Sequence, residues 1–290
     1  VPPVNFRVFS GCSSIFNGVI MKPGRLKWIL GAMLFAAVAV YCAYLFMPRP
    51  APKNVPRLAA GMEIFRNGQS SRDAAVMEKA LRLFEDTCMK EPGSYEAWHM
   101  KSLTELHLLL HSRDVRDTEG EAVFSRAAEH SAMKVTALQS TFPEAYAMLA
   151  AVTALRPPQR GQTAAVRRYE KLALMLGGNN PRVHYLLGLR YYLSRGRLRN
   201  PDRAEELFLK AAGLFEREPP GARAFNFPSW GHAASLEHLG DIHEERGDDQ
   251  AAAGYYRRAL AVNPFLEPVR RSLQDLKDAR PGTAPRGKSP

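Results

Sequence analysis

The sequence predicts an all-α chain: an α-α superhelix of stacked helical pairs, preceded by a single transmembrane helix. Three observations predict it. An uncharged apolar run of about 20 residues stands near the N-terminus. Beyond it, apolar residues recur at helical spacing between short breaks, with no convincing period-two strand. The same pattern of small and large residues then returns several times along the chain.

Residues 1–27 form an N-terminal segment that is expected to be disordered. Met21-Lys22-Pro23-Gly24-Arg25-Leu26-Lys27 reads as a charged leader to an apolar run, so Met21 is a candidate true start. Residues 28–47, WILGAMLFAAVAVYCAYLFM, carry no charge. At roughly 1.5 Å per residue such a helix spans about 30 Å, the thickness of a bilayer's hydrocarbon core. Trp28 stands at one end and Tyr41 and Tyr44 near the other, where interfacial aromatics belong. The run is longer than the apolar region of a cleaved signal peptide, and Met47-Pro48-Arg49-Pro50 is a poor cleavage site. A retained signal-anchor is therefore expected. Arg7, Lys22, Arg25 and Lys27 precede the span and Arg49, Lys53 and Arg57 follow it, a slight bias toward a cytoplasmic N-terminus. The repeats would then lie outside the cytoplasm. Usage rich in Ala, Arg and Pro suggests a bacterium, its inner membrane and its periplasm. Residues 48–57 contain Pro48, Pro50, Pro52 and Pro56, a stiff extended spacer.

The formal charge of +11 suggests an acidic partner only until it is divided along the chain. Residues 1–57 contribute +7, with no Asp or Glu among them. The end from Leu276 contributes +3, through Lys277, Arg280, Arg286 and Lys288 against Asp278. The body between them keeps +1, which argues against nucleic acid as a partner. Cys12, Cys42 and Cys88 show no disulfide framework, and Cys88 reads as a packed thiol.

Residues 58–278 carry the repeats. In ASLEHLGDIHEERGDDQAAAGYYRRALAVNP, ending at Pro264, Leu236, Leu239, Gly240 and His243 fall on one face of a first helix. Gly247 breaks the chain, and Ala252, Tyr256 and Ala259 fall on one face of a second. Small residues at Gly240, Ala252 and Ala259 let antiparallel helices approach, and large ones at Leu239 and Tyr256 fill the space between pairs. This unit resembles the tetratricopeptide repeat position by position. The unit from Pro181 matches with Leu187, Gly188 and Tyr191, then Ala204, Phe208 and Ala211. Near the start, Ala80, Phe84, Thr87 and Pro92 repeat the spacing of Ala252, Tyr256, Ala259 and Pro264. Two degenerate units lie between: one from Trp98 past Ala128, the other with Tyr146, Leu149 and Ala150, then Ala165 and Tyr169. Pro268 to Lys277 reads as a polar cap, and 279–290 as a disordered basic tail. The resemblance implies a superhelix whose concave face takes a protein or peptide partner.

No phosphate-binding loop, CxxC, HExxH or GxSxG is present. His107 and His111, four apart on a helix, could share a metal, but partly exposed packing histidines are the plainer reading. Phe225-Asn226-Phe227-Pro228-Ser229-Trp230 puts three aromatics into a connection that should be short. They read either as a plug or as one wall of a pocket, with Tyr185, Tyr191 and Tyr192 facing them and Arg190 beside them. Arg190, Arg195, Arg197 and Arg199 cluster near one turn, where a solvated surface is the plainer reading and capture of a carboxylate the sharper. The expected function is a membrane-anchored scaffold in a cell-envelope complex, with no cofactor, no metal and no catalysis. The alternative is a periplasmic accessory that binds a small ligand or peptide in the aromatic pocket, and a metal-dependent enzyme is a remoter third.

Overall fold

The computed structural model describes residues 55–157, 159–219 and 230–278. All of these belong to one compact unit, Pro52–Pro290. The expected transmembrane span at 28–47, most of the spacer, the basic tail, Phe225 and Phe227 lie outside the described residues. Among the described residues no helix is long and apolar enough to cross a membrane.

Eleven α-helices and one 3-10 turn make up the described chain. They are α1 (Val55–Ser71), α2 (Ala74–Lys90), α3 (Tyr95–Asp114), α4 (Thr118–Leu138), α5 (Pro143–Leu155), α6 (Gln162–Gly177), α7 (Pro181–Leu193), α8 (Pro201–Glu216), α9 (His232–Glu245), α10 (Asp249–Val262) and α11 (Glu267–Asp278). Helices α1 and α2, α3 and α4, α5 and α6, α7 and α8, and α9 and α10 pack as five pairs, with α11 against α10. The breaks follow capping chemistry. Asp73, Ser94, Asp117, Asn180, Asn200 and Asp248 each accept a backbone N–H of the helix they precede. Pro143, Pro181 and Pro201 stand in first turns, where the missing N–H costs nothing.

Side-chain size sets the spacing within the pairs. An added Cβ at Gly61, Gly188 or Gly240 would stand 2.6, 2.5 or 2.4 Å from the ring of Phe84, Phe208 or Tyr256. In three pairs, then, a glycine of the first helix seats an aromatic ring of the second, so Tyr256 fills space within its own pair rather than the space between pairs expected from its size. The trios Ala80-Phe84-Thr87, Ala204-Phe208-Ala211 and Ala252-Tyr256-Ala259 are all buried, as their spacing predicts. In α6 the register differs by one residue. Val166 and Ala173 are buried, whereas Ala165 and Tyr169 are half-buried. The position of the aromatic ring is taken there by Glu170, and in α4 by Ala132.

All of α5 except Pro143 and Tyr146 is buried, and all of α7 except Tyr191 and Leu193. Such helices show no polar stripe because neighbours cover every side. Helix α11 is one-sided, with only Val269 and Leu273 buried, as a cap requires. Cys88 is a free, buried thiol, pushed up to about 12 by that burial.

Candidate functional site

Four of the five first helices, all but α5, turn residues toward a cavity of about 750 Å³. Its walls come from the end of α1 and the start of α2, from α3, α7 and α9, and from the link between α10 and α11 with the start of α11. Both ends of the described chain therefore contribute. Two polar contacts join them at the cavity wall. Asn263 Nδ2 donates to Ser70 Oγ at 3.1 Å, across 193 positions of sequence. The Arg72 guanidinium is ion-paired with Glu237 of α9, across 165 positions.

Arg72 has a φ of 53°, in the left-handed region that disfavours any residue with a Cβ. Three turns share this geometry, each followed by a capping aspartate: Arg72-Asp73, Arg116-Asp117 and Gly247-Asp248. Arginine thus stands at 72 where the last turn has its glycine. The guanidinium is the compensation, since it meets a carboxylate that is only 7% exposed. Burial raises the affinity of the Glu237 carboxyl for its proton, and Arg72 opposes that rise.

Of the residues singled out in the sequence, Tyr185, Tyr192 and Trp230 line the cavity together. Trp230 is buried, 5.9 Å from Tyr185 in a T-shaped contact and 6.2 Å from His99 of α3. It is both plug and wall. Burial pushes the Tyr185 hydroxyl far above its usual range, and the Tyr192 hydroxyl donates to Glu245 at 2.9 Å. Arg190 and Tyr191 face elsewhere. Arg190 lies 3.4 Å from Glu170 of α6 and stacks on Tyr191, whose hydroxyl donates to the same carboxylate at 2.8 Å. Arg195 and Arg199 pair with Glu121 and Glu245, so the protein's own carboxylates hold them.

His107 and His111 also line the cavity. His107 meets Phe65 edge-on at 5.3 Å, and burial, helped by the charge of Arg72, pushes it down to about 4. Among the described residues no group of three or more His, Cys, Asp or Glu is placed to hold a metal ion. His99 belongs to a different cluster, with Nε2 3.1 Å from Glu144, which also accepts from Asn180.

No protein-family model and no curated protein matches the chain. Among solved structures, TTC0263, described as a thermophilic TPR protein of Thermus thermophilus, aligns with a TM-score of 0.55 at 18% identity. The alignment covers 77% of this chain and 97% of that one. The fold is that of a tetratricopeptide-repeat solenoid. The structure of MamA protein aligns over 79% of this chain and 98% of its own, at 17% identity and a TM-score of 0.33. In terms of the tetratricopeptide repeat, the cavity lies on the face made by the first helices. The contacts Arg72–Glu237 and Ser70–Asn263 link the first repeat to the last. No local sequence pattern marks those contacts, because Arg116-Asp117 has the same arginine before a capping aspartate as Arg72-Asp73 and has no ion pair to a distant helix among the described residues.

Proposed function

We propose that the chain is a membrane-anchored scaffold whose repeats bind a peptide segment of a protein partner in the cavity between their ends. One observation carries the reading: a space of about 750 Å³ walled largely by first helices and bearing Tyr185 and Trp230. Aromatic side chains are the usual anchors of protein interfaces. At the same wall Phe265 is 71% exposed and Val262 43%, apolar surface that a partner would cover. The role is binding rather than catalysis. Anchoring by residues 28–47, with the repeats outside the cytoplasm as part of a cell-envelope complex, rests on the length of the apolar run and its flanking charges.

The test places a photo-crosslinking amino acid at Leu110, on the cavity wall, or at Val123, exposed on α4. A defined partner is expected to crosslink from 110 and not from 123, and to be lost when Ala233→Phe fills the cavity. Equal crosslinking from both positions would refute the reading. Carbonate extraction and a reporter fused after Lys277 test the anchor and its orientation. A second reading, a small-molecule receptor, is favoured by the volume itself, which lies within the range of small-ligand sites. A thermal-shift panel repeated on Trp230→Ala separates the two.

A further inference from the structure

The outer helices of the pairs differ in how they treat their charges. On α2, Arg82 pairs with Glu78 and Lys90 with Asp86. On α8, Arg203 pairs with Glu206, and Arg258 of α10 pairs with Glu216. Single exposed cations without an ion pair among the described residues occur there too, at Lys79, Lys210 and Arg257, but helix α6 has three together. Arg167, Arg168 and Lys171 are all exposed, and none has an ion pair among the described residues. The only acid of the helix, Glu170, is turned inward to Arg190 and Tyr191.

This arrangement works against the helix that carries it. Arg167 and Arg168 lie four and three residues before Lys171, so their like charges repel across one turn. The same stripe runs on to an apolar residue in contact with water, Met175, which is 67% exposed, and Leu176, 37% exposed, stands at its flank. From Ala164 through Arg167, Arg168 and Lys171 to Met175 the spacing holds to one helical face, about 16 Å long at the standard rise. The preceding outer helix, α4, shows the same mixture more weakly, with Arg126 and Lys134 exposed around Met133. Cations without counter-charges, ending in exposed apolar side chains on one helical face, match the chemistry of a bilayer interface. Anionic headgroups would neutralise the cations, and the acyl boundary would take the methionine and leucine.

We propose that the outer face of α6 is a docking surface for an anionic lipid bilayer, through Arg167, Arg168, Lys171, Met175 and Leu176. The proposal is separate from peptide binding in the cavity, because α6 contributes nothing to the cavity wall. It also does not require the apolar run at 28–47 to be an anchor. Were that run an anchor, it would hold the face near the membrane and raise its effective concentration there.

The experiment uses the full chain with Cys12 and Cys42 replaced by Ser and a fluorophore attached through Met175→Cys. The protein is mixed with liposomes of phosphatidylglycerol or of phosphatidylcholine, each containing quencher lipids. A label at Met89, 75% exposed on α2, is the control. Quenching at 175 and not at 89 is expected in the anionic liposomes, falling in the neutral ones and at high salt. Each lost cation should weaken the contact about fivefold, so the triple change of Arg167, Arg168 and Lys171 to Gln should weaken it about a hundredfold. An unquenched 175 label in anionic liposomes, equal quenching in neutral ones, or no response to the triple change would each overturn the proposal. Circular dichroism of the triple variant confirms that its helices are intact, since all three side chains are exposed.

Discussion

Replacing Arg72 tests whether the two ends of the superhelix are joined through this side chain. An ion pair buried on both sides costs about 3–5 kcal/mol when one partner is removed, and a fully exposed pair about 0.2–1 kcal/mol. The Arg72–Glu237 pair lies between, with side chains 42% and 7% exposed. Arg72→Ala should therefore lose about 2 kcal/mol, or about 4–8 °C in Tm for a domain of this size. The backbone supplies an internal control. At a φ of 53° glycine is better than any residue with a Cβ by about 1 kcal/mol, so Arg72→Gly should recover about half of the loss. Both variants remove the same charge, so the difference between them isolates the conformational part. The pH dependence has a definite sign. Burial already raises Glu237, and without Arg72 it should rise further. The folded state then keeps this proton to higher pH than the unfolded chain does. Arg72→Ala should accordingly lose stability, relative to the parent, as pH rises above the ordinary carboxylate pKa of about 4.3. Urea unfolding in mild detergent, followed by circular dichroism across pH, measures each of these. Arg72→Ala within about 0.5 kcal/mol of the parent, or Arg72→Gly no more stable than Arg72→Ala, would refute the reasoning.

Two further expectations follow from packing and burial. Gly240→Ala would bring a Cβ to 2.4 Å from the Tyr256 ring and should destabilise by about 1–3 kcal/mol, whereas Gly254→Ala meets nothing within 4 Å and should stabilise by about 0.5–1 kcal/mol. Paired chemical melts of the two variants check both signs. His107, held to about 4, should remain neutral while the unfolded histidine protonates near its ordinary value of about 6.5. The unfolded chain takes up that proton first, so stability is lost as pH falls from about 6.5 toward 4, and His107→Phe should flatten this part of the profile. NMR titration of the His107 ring gives the pKa directly.

The helical pairs were legible in the sequence because helix-to-helix distance is a matter of side-chain size. A glycine opposite an aromatic leaves one way to pack, and Gly240 with Tyr256 states that rule without ambiguity. The middle of the chain was harder because the rule relaxes there. Ala165 and Tyr169 imitate the pattern, yet Val166 and Ala173 are the residues buried. Glu170 stands at the ring position, and no aromatic marks the register. Within the site, helical geometry separates the candidates. Tyr185 and Tyr192 are seven apart, close to two turns, and share the cavity face. Arg190 and Tyr191 fall on other faces of the same helix and turn to Glu170 instead. The approach of the two ends could not be read from any local pattern. It depends on the small rotation from each pair to the next, accumulated over the whole superhelix.

That closure changes how the repeats share stability. In an open solenoid each repeat contacts only its neighbours, and stability is close to a sum of repeat and interface contributions. Here the first repeat also touches the last, through Arg72–Glu237 and through Ser70–Asn263. A disturbance in the turn after α1 is therefore felt at α9, far along the chain, without passing through α3 to α8. Both of these contacts are polar, and each borders the cavity. The backbone at Arg72 is strained at a φ of 53°, and Glu237 offsets part of that cost. A bound segment that offered Arg72 another carboxylate would compete directly with the closed form. For this reason ligand binding and end-to-end closure should be measured on the same variants.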